Sequence, residues 1–240
     1  MIKNSTSPLN ELKEKIKYIH TNEDIQAIIG GLELKPKDSI ITICGSGEQT
    51  FAISQYVRKV VSVDYDENAI KYAKLRRKLL LEKKYKLFFS SEPKQENSKL
   101  NETYFKEKGR LEEISSKCSN ITFLVDDLIN TIKKSPIPFS KGYFSNFLGY
   151  GKPSKLEILT RLEHICNSFT NDAILYFSHK HDLKNKRIIE TQSGNLVLDE
   201  RLTQIARKKE KSSFIKTFND KKQYYPWEPS VFRVQKLLQF

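Results

Sequence analysis

Ser39-Ile-Ile-Thr-Ile-Cys-Gly-Ser-Gly-Glu-Gln49, followed by Val60-Val-Ser-Val-Asp64, is the stretch that decides the fold. Ser39 to Cys44 is a short apolar run, the length of a buried strand. Gly45 and Gly47 make a tight turn, Glu48 and Gln49 open a helix, and Val60 to Asp64 reads as a second buried strand ending on a carboxylate. That carboxylate lies about twenty residues past the glycines, the separation at which a Rossmann-like unit hydrogen-bonds a ribose hydroxyl. A nucleoside-containing cofactor is the expectation.

The rest of the chain bounds this reading. Its 240 residues suit one domain, and 38% hydrophobic with 11% aromatic side chains suffices for a core. No apolar run approaches the length of a membrane span, and Met1-Ile-Lys-Asn-Ser-Thr-Ser lacks a signal-peptide core. Cys44, Cys118 and Cys166 are odd in number and widely spaced, which suits neither a disulfide framework nor a zinc site. A cytoplasmic setting without a metal is expected, with peripheral membrane contact open. The net charge of +13 suits an anionic partner, and it equally suits lysines that merely solvate helix faces.

Outward from the glycines, strands and helices alternate. Ser7-Pro8 starts a helix carrying Leu9, Leu12 and Ile16. A second, after Thr21-Asn-Glu-Asp24, is expected to stop at Gly30-Gly31, so the N-terminal helices occupy residues 1–37. A helix from about Gln49 to Tyr56 joins the first two strands. Asp66 caps the next, whose apolar stripe Ala69, Tyr72, Ala73, Leu79 and Leu80 is interrupted by Arg76, predicting a narrow buried face there. Residues from about 82 to 120 are polar and too many for a bare loop, so a helical insertion is predicted, mobile around Lys94 to Asn101. Ile121 to Val125 reads as the third strand, Gly142 to Ser145 as the fourth and Ala173 to Phe177 as the fifth. Between the last two, a Ser154/Glu157 capping box opens a helix burying Leu156, Leu159, Leu162 and Ile165. A charged helix around Leu202 to Lys209 and strands at Phe214–Phe218 and Val231–Leu237 complete the pattern. The prediction is one α/β domain with a Rossmann-like, mainly parallel sheet and an antiparallel edge.

Phosphate-binding Rossmann loops set a pyrophosphate against a helix N-terminus. Here Glu48 follows two glycines, and a carboxylate there repels a pyrophosphate but suits the ammonium of an amino-acid moiety. The cofactor expected on this ground is S-adenosylmethionine. Asp64 would bind the ribose hydroxyls, Tyr65 would lie on the adenine or ribose face, and Asp127 with Leu128 would meet the adenine edge. Asp126 is counted with them at the cofactor, although it suits a helix cap about as well; for Asp64 a cap is the lesser reading, and Cys44 reads better as a core-edge residue than as a nucleophile.

With these residues the chain resembles a class I S-adenosylmethionine-dependent transferase over roughly residues 20 to 180. The commonest methyltransferase pattern has an acid within the first strand and a glycine at its end, where this chain has Thr42 and Cys44. Ile41-Thr-Ile-Cys-Gly-Ser-Gly-Glu-Gln49 is closer to the Thr-Ile-x-Ser/Gly-x-Gly-Asp/Glu-Asn/Gln signature of the 3-amino-3-carboxypropyl transferases of betaine-lipid synthesis. Glu23-Asp24, with Asn22 where that family has Trp, Tyr85-Lys-Leu-Phe-Phe89 and Ser145-Asn146-Phe147 are similar to further segments of it. The resemblance implies a cofactor set of Thr42, Cys44, Gly45, Ser46, Gly47, Glu48 and Gln49, and places Ser145 and Asn146 near the reactive end. The chain is short for that family, and the acceptor does not follow from the resemblance.

Three functions are consistent with the sequence. The first transfers an aminocarboxypropyl group to a hydroxyl or amine of a lipid headgroup or small molecule. Asn146 would orient the acceptor there, His179 or His181 would serve as base, and Tyr143 and Tyr150 would line its pocket. The second is a methyltransferase, for which the charge makes RNA a sensible acceptor, with Arg201, Arg207, Lys208, Lys209 and Lys211 as its cluster. The third is a non-catalytic binding module. Both histidines read better as members of a polar surface loop than as bases.

Overall fold

The computed structural model describes residues 8–16, 21, 23–90, 98–179, 188–189, 194–218 and 228–236. Helices α1 (Pro8–Lys13) and α2 (Ile25–Leu32) precede strand β1 (Ser39–Ile43). Then follow α3 (Glu48–Ser54), β2 (Lys59–Asp64), α4 (Glu67–Leu81), and the helices α5 (Tyr85–Ser90), α6 (Ser98–Phe105) and α7 (Arg110–Lys117) where the insertion was expected. Next come β3 (Ile121–Val125), α8 (Leu128–Lys134), β4 (Phe139–Ser145), α9 (Lys155–Ser168), β5 (Phe169–His179), β6 (Leu196–Leu198), α10 (Glu200–Phe218) and β7 (Glu228–Val234).

The strands form one sheet in the order β3-β2-β1-β4-β5-β7-β6. Neighbours from β3 to β5 pair in parallel, and β7 runs antiparallel to both β5 and β6. Every second side chain of a strand faces the same side, so the sheet separates two cores. Ile40, Val60, Phe123, Tyr143 and Tyr176 pack under α2, α3, α4 and the insertion, while Ile41, Val61, Val63, Leu175 and Phe177 pack under α8 and α9. The strand order reverses between β1 and β4, which opens a crevice beyond their C-terminal ends.

Several expectations are corrected. Phe214–Phe218 is the last stretch of α10, not a strand. β6 was not foreseen; at three residues it carries too little pattern to read. Gly30 and Gly31 lie inside α2, because Gly31 passes so close to Tyr176 that a Cβ would sit 2.9 Å from its ring. Leu156 is 74% exposed in the first turn of α9, which buries Ile158, Leu162, Ile165 and Cys166. Arg76 does not narrow the buried face of α4: its side chain is fully buried among aromatic rings, 4.2 Å from the Phe88 centroid. Residues 94–97 of the segment expected to be mobile lie outside the described residues, and Ser98 onward is α6. Among the described residues no helix is long and apolar enough to cross a membrane.

Candidate functional site

The crevice is a cleft lined mainly by the ends of the strands. β1 and its bend supply Ile43, Gly45, Ser46 and Gln49; the end of β2 supplies Val63, Asp64, Tyr65 and Asp66. The end of β3 gives Asp126, Asp127 and Leu128, and the end of β4 gives Tyr143, Ser145, Asn146, Phe147 and Tyr150. Thr21 and Glu23 enter from the approach to α2, and Arg161 from α9.

The bend turns because Gly45 (φ 49°) and Gly47 (φ 84°) adopt left-handed backbone. A Cβ on Gly47 would also sit 3.0 Å from the Phe51 ring. The Gln49 amide donates to the carbonyls of Ile43 (2.7 Å) and Cys44 (2.9 Å), closing the bend from inside. Its Oε1, and the Oγ of Ser46, are buried without a hydrogen-bond partner among the described residues. Such atoms cost free energy unless a ligand or water meets them, so these two mark where a polar ligand group fits.

Asp64 accepts from the backbone N–H of Gly45 (2.9 Å) and of Asp66 (3.1 Å). Burial nevertheless raises its pKa, against the pull of those two donors. Asp127 caps α8 through the N–H of Asn130 (3.0 Å), and Asp126 pairs with Lys134 (3.1 Å), which lowers the Asp126 pKa. Across the mouth the hydroxyls of Tyr65 and Tyr150 touch, their ring centroids 5.7 Å apart.

Glu23 is the group that the sequence reading gave no role. It is 2% exposed, and its carboxylate accepts from the Tyr143 hydroxyl and from Ser145 Oγ (3.3 Å). Burial pushes its pKa up to about 7. Ser145 holds the left-handed conformation (φ 44°) at a register break between β4 and β5, a strained geometry of the kind that concentrates at working sites. The signal available in sequence was the Glu23-Asp24 pair, but nothing in its local pattern says that the chain returns to the tip of β4.

Four residues expected at the cofactor do not line the cleft. Thr42 is buried in a hydroxyl cluster with Thr50 (3.1 Å) and Ser62 (3.3 Å), pinning α3 to β1 and β2. Cys44 is fully buried, and desolvation pushes its thiol up to about 12, so it is inert as a nucleophile. Gly47 faces α4 and the Phe51 ring. Glu48 is the main correction: its carboxylate points inward, accepts from the Thr21 N–H (3.0 Å) and lies 3.6 Å from buried Arg76. Arg76 also donates to the Ser46 carbonyl (3.3 Å), bracing the bend from beneath.

Of the two candidate bases, His179 ends β5 opposite Glu228, and His181 lies outside the described residues. None of Arg201, Arg207, Lys208, Lys209 and Lys211 lines the cleft. They belong to α10, where Arg201 pairs with Glu33 (2.6 Å) and Arg207 with Glu228 (2.9 Å).

No protein-family model matches the chain, and comparison with curated proteins finds no match. Solved structures do match. The chain is similar to the N-methyltransferase NodS from Bradyrhizobium japonicum WM9, crystallised with S-adenosyl-L-homocysteine, with TM-score 0.54 and 11% identity over 88% of this chain and 85% of that one. It is also similar to an rRNA methylase from Streptococcus thermophilus, with TM-score 0.51 and 12% identity over 88% of this chain and 94% of that one. The architecture is therefore the Rossmann-like fold of class I methyltransferases.

Proposed function

We propose that this protein binds S-adenosylmethionine in the cleft and transfers an alkyl group from it to a hydroxyl or amine. One observation carries the reading: the cleft holds the Asp64 carboxylate at the end of β2 and the buried Glu23 carboxylate at the tip of β4, with two buried polar atoms, Gln49 Oε1 and Ser46 Oγ, unpartnered among the described residues at the bend of β1. Asp64 would take the ribose hydroxyls on lone pairs left after Gly45 and Asp66. Asp127 and Leu128 would meet the adenine edge, with Tyr65 and Tyr150 over the mouth. The ammonium partner is Glu23, helped by Gln49 Oε1 and Ser46 Oγ, in place of the sequence-adjacent Glu48. A carboxylate in this low-dielectric setting favours a cation far more than it would in water. The Tyr143 and Ser145 hydroxyls hold it in place.

The sulfonium supplies an electrophilic carbon and a good leaving group, so the protein's task is positioning. Ser145 and Asn146 lie beside Glu23 at the tip of β4 and would orient the acceptor. The finer reading is transfer of the 3-amino-3-carboxypropyl group to a lipid headgroup or small molecule. It is supported by the resemblance of the glycine bend and by the meeting of Glu23 with Ser145-Asn146, two segments carrying that resemblance, in one cleft. Methyl transfer is the second reading, favoured by the likeness in fold to an N-methyltransferase and an rRNA methylase. An RNA acceptor draws no support from the α10 cluster, since none of Arg201, Arg207, Lys208, Lys209 and Lys211 lines the cleft. The test is incubation with S-adenosylmethionine and a metabolite or lipid extract, followed by chromatography of the nucleosides. Methylthioadenosine is expected; S-adenosylhomocysteine would replace the finer reading with methylation, and no binding by calorimetry would end both.

A further inference from the structure

The backbone that carries Glu23 into the cleft is not held by its own neighbours in sequence. Just ahead of α2 it lacks intrahelical partners, and side chains from three distant elements supply them. Glu48 of α3 accepts from Thr21 N–H (3.0 Å), and Glu210 of α10 accepts from Asp24 N–H (2.7 Å). Asn101 of α6, only 3% exposed, does the most: its Oδ1 accepts from Ile25 N–H (2.9 Å), and its Nδ2 donates to the carbonyls of Glu23 (3.0 Å) and Thr21 (3.4 Å). It thus grips the chain on both sides of Glu23 with one rigid amide. The helix bearing it is itself anchored, since Tyr104 and Phe105 pack in the core and the Tyr104 hydroxyl accepts from Gln55 (2.8 Å).

We propose that Asn101 is a positioning residue, and that the helical insertion serves the cleft by setting the carboxylate of Glu23 against Tyr143 and Ser145. The insertion is then part of the site although among its described residues none lines the cleft. This assignment rests on the proposed role of Glu23 toward the cofactor's ammonium, but its geometry is testable without any ligand. The titratable groups facing Glu23 are Tyr143 on β4 and, through space, Glu210 on α10, with Asp24 beside it; the Ser145 and Ser178 hydroxyls face it as well. None of them is altered by substituting Asn101.

The experiment is a carboxyl 13C NMR titration of Glu23 in the full chain, alongside calorimetry with S-adenosylhomocysteine at pH 6 and pH 8. In wild type, Glu23 is expected to titrate near 7, and affinity to rise about tenfold between those pH values as the carboxylate ionises. In N101L the titration should move toward the ordinary 4.5, and the tenfold rise should disappear. N101Q retains the amide but displaces it by one methylene, and should shift the same way if N101L does not fold. F105L, a core substitution in the same helix, should lower Tm and leave the Glu23 titration unmoved. A wild-type titration in N101L or N101Q overturns the positioning role. If the titration shifts as expected but wild type binds no S-adenosylhomocysteine, the positioning stands and the cofactor reading alone falls.

Discussion

The N-termini of α2 and α3 each bring a glutamate to the glycine bend, and the two meet opposite fates. Glu48 follows Gly47 directly, yet it turns into the core toward Thr21 and Arg76. Glu23 is remote in sequence, yet it enters the cleft beside Tyr143 and Ser145. Sequence adjacency to a binding loop therefore does not confer access to it. What separates the two is Arg76: a buried guanidinium needs a buried anion, and Glu48 is the one beside it.

The largest expected effect tests that separation directly. Arg76→Ala removes the guanidinium beside the buried Glu48 carboxylate, and should cost about 3–5 kcal/mol in urea unfolding. A loss below about 1 kcal/mol would mean that Glu48 reaches water and that the contrast is false. Next comes Asp64→Ala, which removes a charged acceptor worth about 1.5–3 kcal/mol and should weaken S-adenosylhomocysteine binding roughly ten- to a hundredfold by calorimetry.

Glu23→Gln and Glu48→Gln then sharpen the comparison as a pair. At pH 8 the first should lose about tenfold in affinity and, at pH 6, where Glu23 is mostly protonated, almost nothing. The second should lower stability and leave affinity within about twofold, because its carboxylate does not face the cleft. The reverse order of effects would return the ammonium to Glu48.

The remaining effect concerns pH and stability. Burial raises Glu23 to about 7 and Glu210 to about 9 from an ordinary 4.5, so the folded protein retains protons that the unfolded chain releases. Stability is thus full below 4.5 and declines as pH climbs through about 7 and on to about 9. Glu210→Gln retains an acceptor for the Asp24 N–H and should flatten the upper part of that decline, read as Tm from pH 5 to pH 9. An unchanged slope would show that Glu210 titrates elsewhere.

Much of this architecture was legible in the chain. The strands β1 to β5 follow from short apolar runs between turns, and the caps at Asp66 and Ser154 form as read, with Asn68 N–H on Asp66 (2.8 Å) and Ser154 Oγ accepting from Glu157 (3.3 Å). Asp64, Asp127, Leu128 and Gly45 line the cleft because each sits at the end of a strand, and strand ends of a parallel sheet converge on one side. Phe214–Phe218 was misread because aromatic residues suit strands locally, while the helix it extends, α10, packs against α2 and β7. Leu156 was misread because spacing alone does not say where a helix leaves its neighbour.

By itself, then, the chain determined the strands β1 to β5 with the helices between them and the carboxylates at their ends, since these depend on periodicity and local turn chemistry. Only the tertiary structure decided which acids face the cleft, how Arg76 is buried, and that Asn101 reaches Glu23. Those depend on which side chains meet across separations of tens of residues, and on the cost of leaving a buried charge or amide unpaired.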